Sequence, residues 1–88
     1  MDKHSKMKSV LITGCSSGIG LCIAKGLKEK GYRVFASARS IDDVKNLNNL
    51  GFESLLLDLS SSESINAAVF KLYEMTETLY ALINNGAY

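Results

Sequence analysis

Short apolar runs along this chain alternate with stretches in which apolar residues recur every three or four positions. That alternation predicts strands separated by helices. Ser9 to Thr13 holds the continuous run Val10-Leu11-Ile12, the pattern of a strand buried on both faces. Gly18 to Lys30 reads as a helix with Ile19, Ile23 and Leu27 one turn apart and Lys25, Lys28, Glu29 and Lys30 on the other side. Gly31 then stands where a helix C-cap wants glycine. Tyr32 to Arg39 is a second strand around Val34-Phe35-Ala36, and Ile41 to Leu50 a short helix with Val44 and Leu47, ended by Gly51. Phe52 to Leu59 holds a third strand, Ser54-Leu55-Leu56-Leu57. Ser60-Ser61-Ser62-Glu63 predicts a capping box, serine at the N-cap and glutamate three residues later, opening a helix with Ile65, Val69, Leu72 and Met75. Leu79 to Asn84 is a fourth strand.

The order βαβαβαβ calls for an α/β fold with a parallel sheet and right-handed crossovers. Strands in the order 3-2-1-4 make the first half, and a little more, of a doubly wound Rossmann-type sheet, truncated after its fourth strand. Residues 1–8 form a polar tail, and no linker, low-complexity segment or repeat beyond the βα unit follows.

Gross composition narrows the partners more than the chemistry. The 88 residues make at most one domain, and a chain this short buries only roughly 60–65% of its unfolded surface. A formal net charge of +1 suggests neither nucleic acid nor an anionic membrane. Only Val10 to Ile12 precede the segment Thr13-Gly14-Cys15, too short an apolar core for a lipoprotein signal. No apolar stretch approaches the length of a membrane span, so the chain reads as soluble and cytoplasmic. Cys15 and Cys22 have no second pair and no nearby histidine, which excludes a metal set and suits free thiols. His4 lies in the polar tail, where a solvated side chain is expected.

The chemistry is concentrated in Thr13-Gly14-Cys15-Ser16-Ser17-Gly18-Ile19-Gly20, directly after the first strand and before the first helix. Three glycines at this spacing build a surface on which backbone touches a pyrophosphate. Gly14 allows the tight turn, Gly18 removes a Cβ that would block phosphate, and Gly20 permits close helix packing. The following helix aims its free N–H groups and the positive end of its dipole at the anion. The pattern Thr-Gly-x-x-x-Gly-Ile-Gly resembles the cofactor loop of the short-chain dehydrogenase/reductase family, in its non-extended subtype. The wider run Val10 to Gly20 is similar to the family's steroid- and retinol-dehydrogenase-like members. The resemblance implies a cradle for the pyrophosphate at Gly14, Ser16, Ser17, Gly18, Ile19 and Gly20.

In dinucleotide folds an acidic residue at the end of the second strand holds the ribose diol of NAD. Here that end reads Ser37-Ala38-Arg39-Ser40 and contains no carboxylate. Arg39 offers an always-charged fork for a 2′-phosphate, and Ser40 a hydroxyl donor. NADP is therefore expected over NAD, although Ser17 stands where many NADP-preferring members carry a basic residue. Asp58-Leu59 resembles the family's Asp-Leu or Asp-Val pair, which implies contacts to adenine; an ordinary strand-end aspartate is the alternative. Asn84-Asn85-Gly86-Ala87 resembles the family's Asn-Asn-Ala-Gly with the last two residues exchanged, which implies that Asn85 steadies the sheet and lines the adenosine-ribose side.

The family's catalytic Tyr-x-x-x-Lys is missing: Ala36, Glu77 and Asn84 stand four residues after Tyr32, Tyr73 and Tyr80, and Tyr88 is last. No catalytic residue is therefore expected in this chain. It reads as the N-terminal, cofactor-binding portion of an NADP-dependent oxidoreductase that moves a hydride between nicotinamide and a small hydrophobic carbonyl or secondary alcohol. The resemblance implies a homo-oligomer when complete. Two other readings stand beside it: a non-catalytic nucleotide-binding module, and an S-adenosylmethionine site, against which the Ala38-Arg39 pair argues.

Overall fold

The computed structural model describes residues 7–76 and 78–85. Seven elements follow one another: β1 (Ser9–Ile12), α1 (Gly18–Glu29), β2 (Arg33–Ala38), α2 (Ile41–Asn49), β3 (Glu53–Leu56), α3 (Ser62–Met75) and β4 (Ala81–Ile83). The strands form one parallel sheet in the order β3-β2-β1-β4, as the alternation predicts. Each strand is a residue or more shorter than the segment expected from sequence, with Thr13, Tyr32, Arg39, Phe52 and Asn84 among the residues left outside.

Period-two alternation sorts the strand residues onto two faces. Val10 and Ile12 of β1 and Val34, Ala36 and Ala38 of β2 pack with Ala24 of α1 and Leu47 of α2 in one buried cluster. Leu11, Phe35 and Leu55 point the other way and meet Leu72 of α3. Phe35 and Ile12 are wholly buried, each contributing about 1.5–3 kcal/mol of transfer free energy. Two helices thus cover one face and α3 the other. Leu82 of β4, the strand that pairs with β1, remains exposed.

Local signals explain the helix ends. Gly31 and Gly51 follow α1 and α2 with φ of 96° and 94°, the left-handed conformation that stops a helix. The capping box expected from Ser60 and Glu63 does not form. Ser61 is the N-cap of α3, its hydroxyl accepting from the Ser64 amide at 3.2 Å. Ser60 is held elsewhere, its amide and hydroxyl both donating to Asp58 Oδ1, and the start of the helix shifts by one residue. Along α1 the buried residues are Gly20 and Ala24, with Ile23 and Leu27 packed beside the core, whereas Ile19 is 71% exposed at the helix start.

Candidate functional site

Parallel pairing brings the carboxyl ends of the strands level. Ile12 sits opposite Ala36 of β2 and Ile83 of β4, so the loops after β1, β2 and β4 leave the sheet side by side. α1 leaves β1 toward one face and α3 reaches β4 across the other, so the sheet's switch point lies between β1 and β4. Ligands of open α/β sheets bind outside the strand ends at such a point.

The glycine turn is tied to β4 by a small set of hydrogen bonds. The Thr13 amide donates to the Ile83 carbonyl at 3.0 Å. The Thr13 hydroxyl donates to Asn84 Oδ1 and accepts from the Asn85 amide, both at 2.9 Å. Asn85 Nδ2 donates to the Gly14 carbonyl at 3.2 Å. On the other side the Cys15 amide donates to the Ser37 carbonyl at 2.8 Å. The turn is therefore fixed from both neighbouring strands before any ligand arrives. Gly86 and Ala87 lie outside the described residues, so the exchanged pair after Asn85 has no structural account.

Each glycine of the loop has its own reason. Gly14 has φ of 68°, and a Cβ there would stand 3.2 Å from the Asn85 carbonyl oxygen. Gly18 has φ of 65° with open space around it, so its requirement is the backbone conformation, and the space beside it is free for a ligand. A Cβ on Gly20 would strike the Gly14 carbonyl oxygen and lie 2.6 Å from Asn85 Nδ2. The close approach that Gly20 permits is thus to the turn itself and to Asn85.

The helix start beyond the turn is uncapped. Ser17 is the N-cap of α1 in an extended conformation, its side chain makes no capping hydrogen bond, and the first turn holds no acidic residue. In α2 and α3 the serine hydroxyls of Ser40 and Ser61 accept from the third helical residue. The first-turn amides of α1 keep their donors for something else. An anion fits that chemistry, and nothing within 4 Å of a Cβ position on Gly18 stands in its way.

A cleft of about 390 Å³ runs from this turn across the end of β2 to the end of β3. Gly14, Ser16, Ser17 and Asn85 line one end, and Ala38, Arg39 and Ser40 the middle, with Leu57 and Leu59 at the far side. Of the residues expected from sequence, Gly14, Ser16, Ser17, Arg39, Ser40, Leu59 and Asn85 meet in this cleft. Gly18, Ile19, Gly20 and Asp58 stand outside its lining. Asp58 lies two residues past β3 with its carboxyl taken by Ser60, whose hydroxyl donates at 2.6 Å and amide at 2.9 Å. Those two donors hold the carboxyl below the usual carboxylate range, and Arg39 adds a weaker attraction. Ser40 is doubly placed: its oxygen accepts from the Asp43 amide at 3.2 Å as the cap of α2, and its proton is left to donate. Cys15 is buried under the turn with its thiol 3.3 Å from the Ile12 carbonyl oxygen, and burial pushes that thiol up.

Thr13, Ala38, Asp43 and Leu57 also line the cleft without having been expected as site residues, and Asp43 is the charged one among them. Asp43 lines the cleft beside Arg39 and Ser40. The signal that would have found it is Ser40 as an N-cap: the third helical residue then leans back over the strand end.

The family model described as short chain dehydrogenase matches residues 8–88. The chain belongs to this family. Among relatives of this short chain dehydrogenase, the uncharacterized oxidoreductase YbbO of Escherichia coli is 48% identical over 82 residues, covering 92% of this chain and 30% of that protein. The NADPH-dependent 1-acyldihydroxyacetone phosphate reductase of Schizosaccharomyces pombe is 38% identical over 80 residues, 89% of this chain and 27% of that one. A crystal structure of a variant actinorhodin polyketide ketoreductase with NADPH superposes with a TM-score of 0.81 at 32% identity, over 99% of this chain and 35% of that one. The chain therefore spans about a third of the length of the proteins it matches.

Proposed function

We propose that this chain is the cofactor-binding part of an NADP-dependent oxidoreductase acting on a carbonyl or secondary alcohol. The observation that carries the reading is the single cleft joining the uncapped start of α1 to Arg39. One end offers backbone donors for a pyrophosphate, and the other a guanidinium at the end of β2, where a 2′-phosphate would lie. Gly14, Ser16, Ser17 and Gly18 hold the pyrophosphate, with Ile19 and Gly20 shaping the helix start beyond it. Arg39 and Ser40 hold the 2′-phosphate, and Asp58 and Leu59 flank the adenine. Asn85 keeps the glycine turn in register with β4. The relatives named for NADPH support the same choice of nucleotide.

When bound, the nicotinamide supplies or accepts the hydride. This chain's own residues bind and orient. Ala36, Glu77 and Asn84 stand four positions after Tyr32, Tyr73 and Tyr80, so this reading assigns no proton transfer to those tyrosines.

The test is the cofactor preference of Arg39→Asp. Losing a bidentate charge-assisted contact and gaining a repulsive carboxylate should weaken NADPH binding by about 10- to 100-fold. NADH should change much less. Titration of both nucleotides into the full chain reads the ratio, and an unchanged ratio removes Arg39 from this role.

A further inference from the structure

The cleft carries two charges of opposite sign on one wall, and the reading above uses only one of them. Asp43 lines it together with Arg39, Ser40 and Ala38. Its position is tightly set. The Ser40 hydroxyl accepts from the Asp43 amide at 3.2 Å, and the Val44 amide donates to the Ser40 carbonyl at 3.0 Å, which fixes Asp43 in the first turn of α2. Helical Cα–Cβ bonds tilt toward the helix N-terminus, so a side chain at this position leans over the end of β2. Asp43 is half-buried there, whereas its neighbour Asp42 is exposed and outside the cleft.

A carboxylate on this wall does two things to an adenosine nucleotide. It accepts hydrogen bonds from ribose hydroxyls, and it repels a phosphate esterified to one of them. Arg39 does the reverse. We infer that Asp43 is a second specificity-determining residue of the cleft, accepting from the ribose diol of NAD and opposing the Arg39 guanidinium, so that the site takes both nucleotides. The inference rests on the nucleotide reading of the cleft. It turns the expected NADP selectivity into a balance between a strand-end cation and a helix-start anion.

Two probes separate the terms: 5′-AMP, which carries the free diol, and 2′,5′-ADP, which carries the extra phosphate. Calorimetric titration of the full chain with each should show Asp43→Asn binding 5′-AMP about five-fold more weakly and 2′,5′-ADP about three-fold more tightly than the unmodified protein. Asp42→Asn removes the same charge one residue away and should leave the ratio of the two affinities unchanged. Asp43→Ser repeats the measurement with a smaller neutral side chain that also suits a helix start. A ratio unmoved in both Asp43 variants overturns the inference, and so does an equal shift in Asp42→Asn. An unmodified chain that binds neither probe overturns the nucleotide reading itself, a distinct result.

Discussion

Asp58 shows how much a single side chain can rearrange. Its carboxyl accepts the amide and hydroxyl of Ser60, and these donors depress its folded-state pKa. A depressed acid stabilises the fold above its unfolded value, about 3.9, and that contribution is lost as the pH falls through the lower folded value. Ser60→Ala removes the hydroxyl and keeps the amide, so the Asp58 midpoint should rise part of the way back, read from its carboxyl carbon resonance against pH. A midpoint that stays put would assign the depression to the amide and Arg39. The same clasp explains why the cap of α3 was read one residue early: three consecutive serines are equivalent in sequence until one of them is captured by Asp58. Arg39 was legible because it immediately ends a strand. Asp43 was not, because its approach to the strand end depends on where α2 begins, and a one-turn displacement carries an acidic group into the cleft without any carboxylate at the strand end itself.

Among the elements, α1 contains three glycines, of which Gly20 and Gly26 have opposite meanings. A Cβ on Gly20 meets the backbone of Gly14, which cannot move without breaking the turn, whereas a Cβ on Gly26 meets nothing within 4 Å. Gly20→Ala should therefore destabilise the chain by about 2–3 kcal/mol and weaken nucleotide binding with it. Gly26→Ala should stabilise by about 0.5–1 kcal/mol, since the helix interior gains a better helix former at no steric cost. Thermal unfolding of the two variants checks both signs, and a Gly20→Ala variant as stable as the parent would mean that the turn yields. Sequence spacing marked Gly20 as special and left Gly26 unremarked. It did not identify what Gly20 approaches, because that partner, Asn85, lies 65 positions along the chain and reaches the turn only through the pairing of β1 with β4.

For the whole molecule, the order of strands and the two-sided sheet were legible because each apolar run is short and separated from the next by a helix-length segment. The covering of the two faces follows from the same order, because right-handed crossovers put α1 and α2 on one side and, where the direction across the sheet reverses, α3 on the other. One face holds α1 and α2, and the other α3 with an apolar groove of about 170 Å³ beside it, lined by Leu11, Leu57, Ile65, Val69, Leu72 and Leu82 among others. Among the described residues β4 pairs only with β1, and its Leu82 is 60% exposed at the rim of that groove. The other end of β4 is anchored: the Tyr80 amide donates to the Ser9 carbonyl at 2.8 Å, and the Tyr80 ring lies 6.5 Å from that of Tyr32 with the Lys8 ammonium 4.3 Å above it. An ordered strand with an open edge and an apolar side chain is a template for pairing with another copy. The 88-residue chain alone should therefore self-associate, and Leu82→Lys should oppose that. Burying one leucine contributes about 1.5–3 kcal/mol, so the variant should need a concentration about ten-fold higher, or more, to reach the same extent of association. Sedimentation over a concentration series measures the shift. Because Leu82 is outside the buried clusters, the variant should keep its helical circular dichroism, and association unchanged in a folded Leu82→Lys chain would place the sticky surface elsewhere than β4.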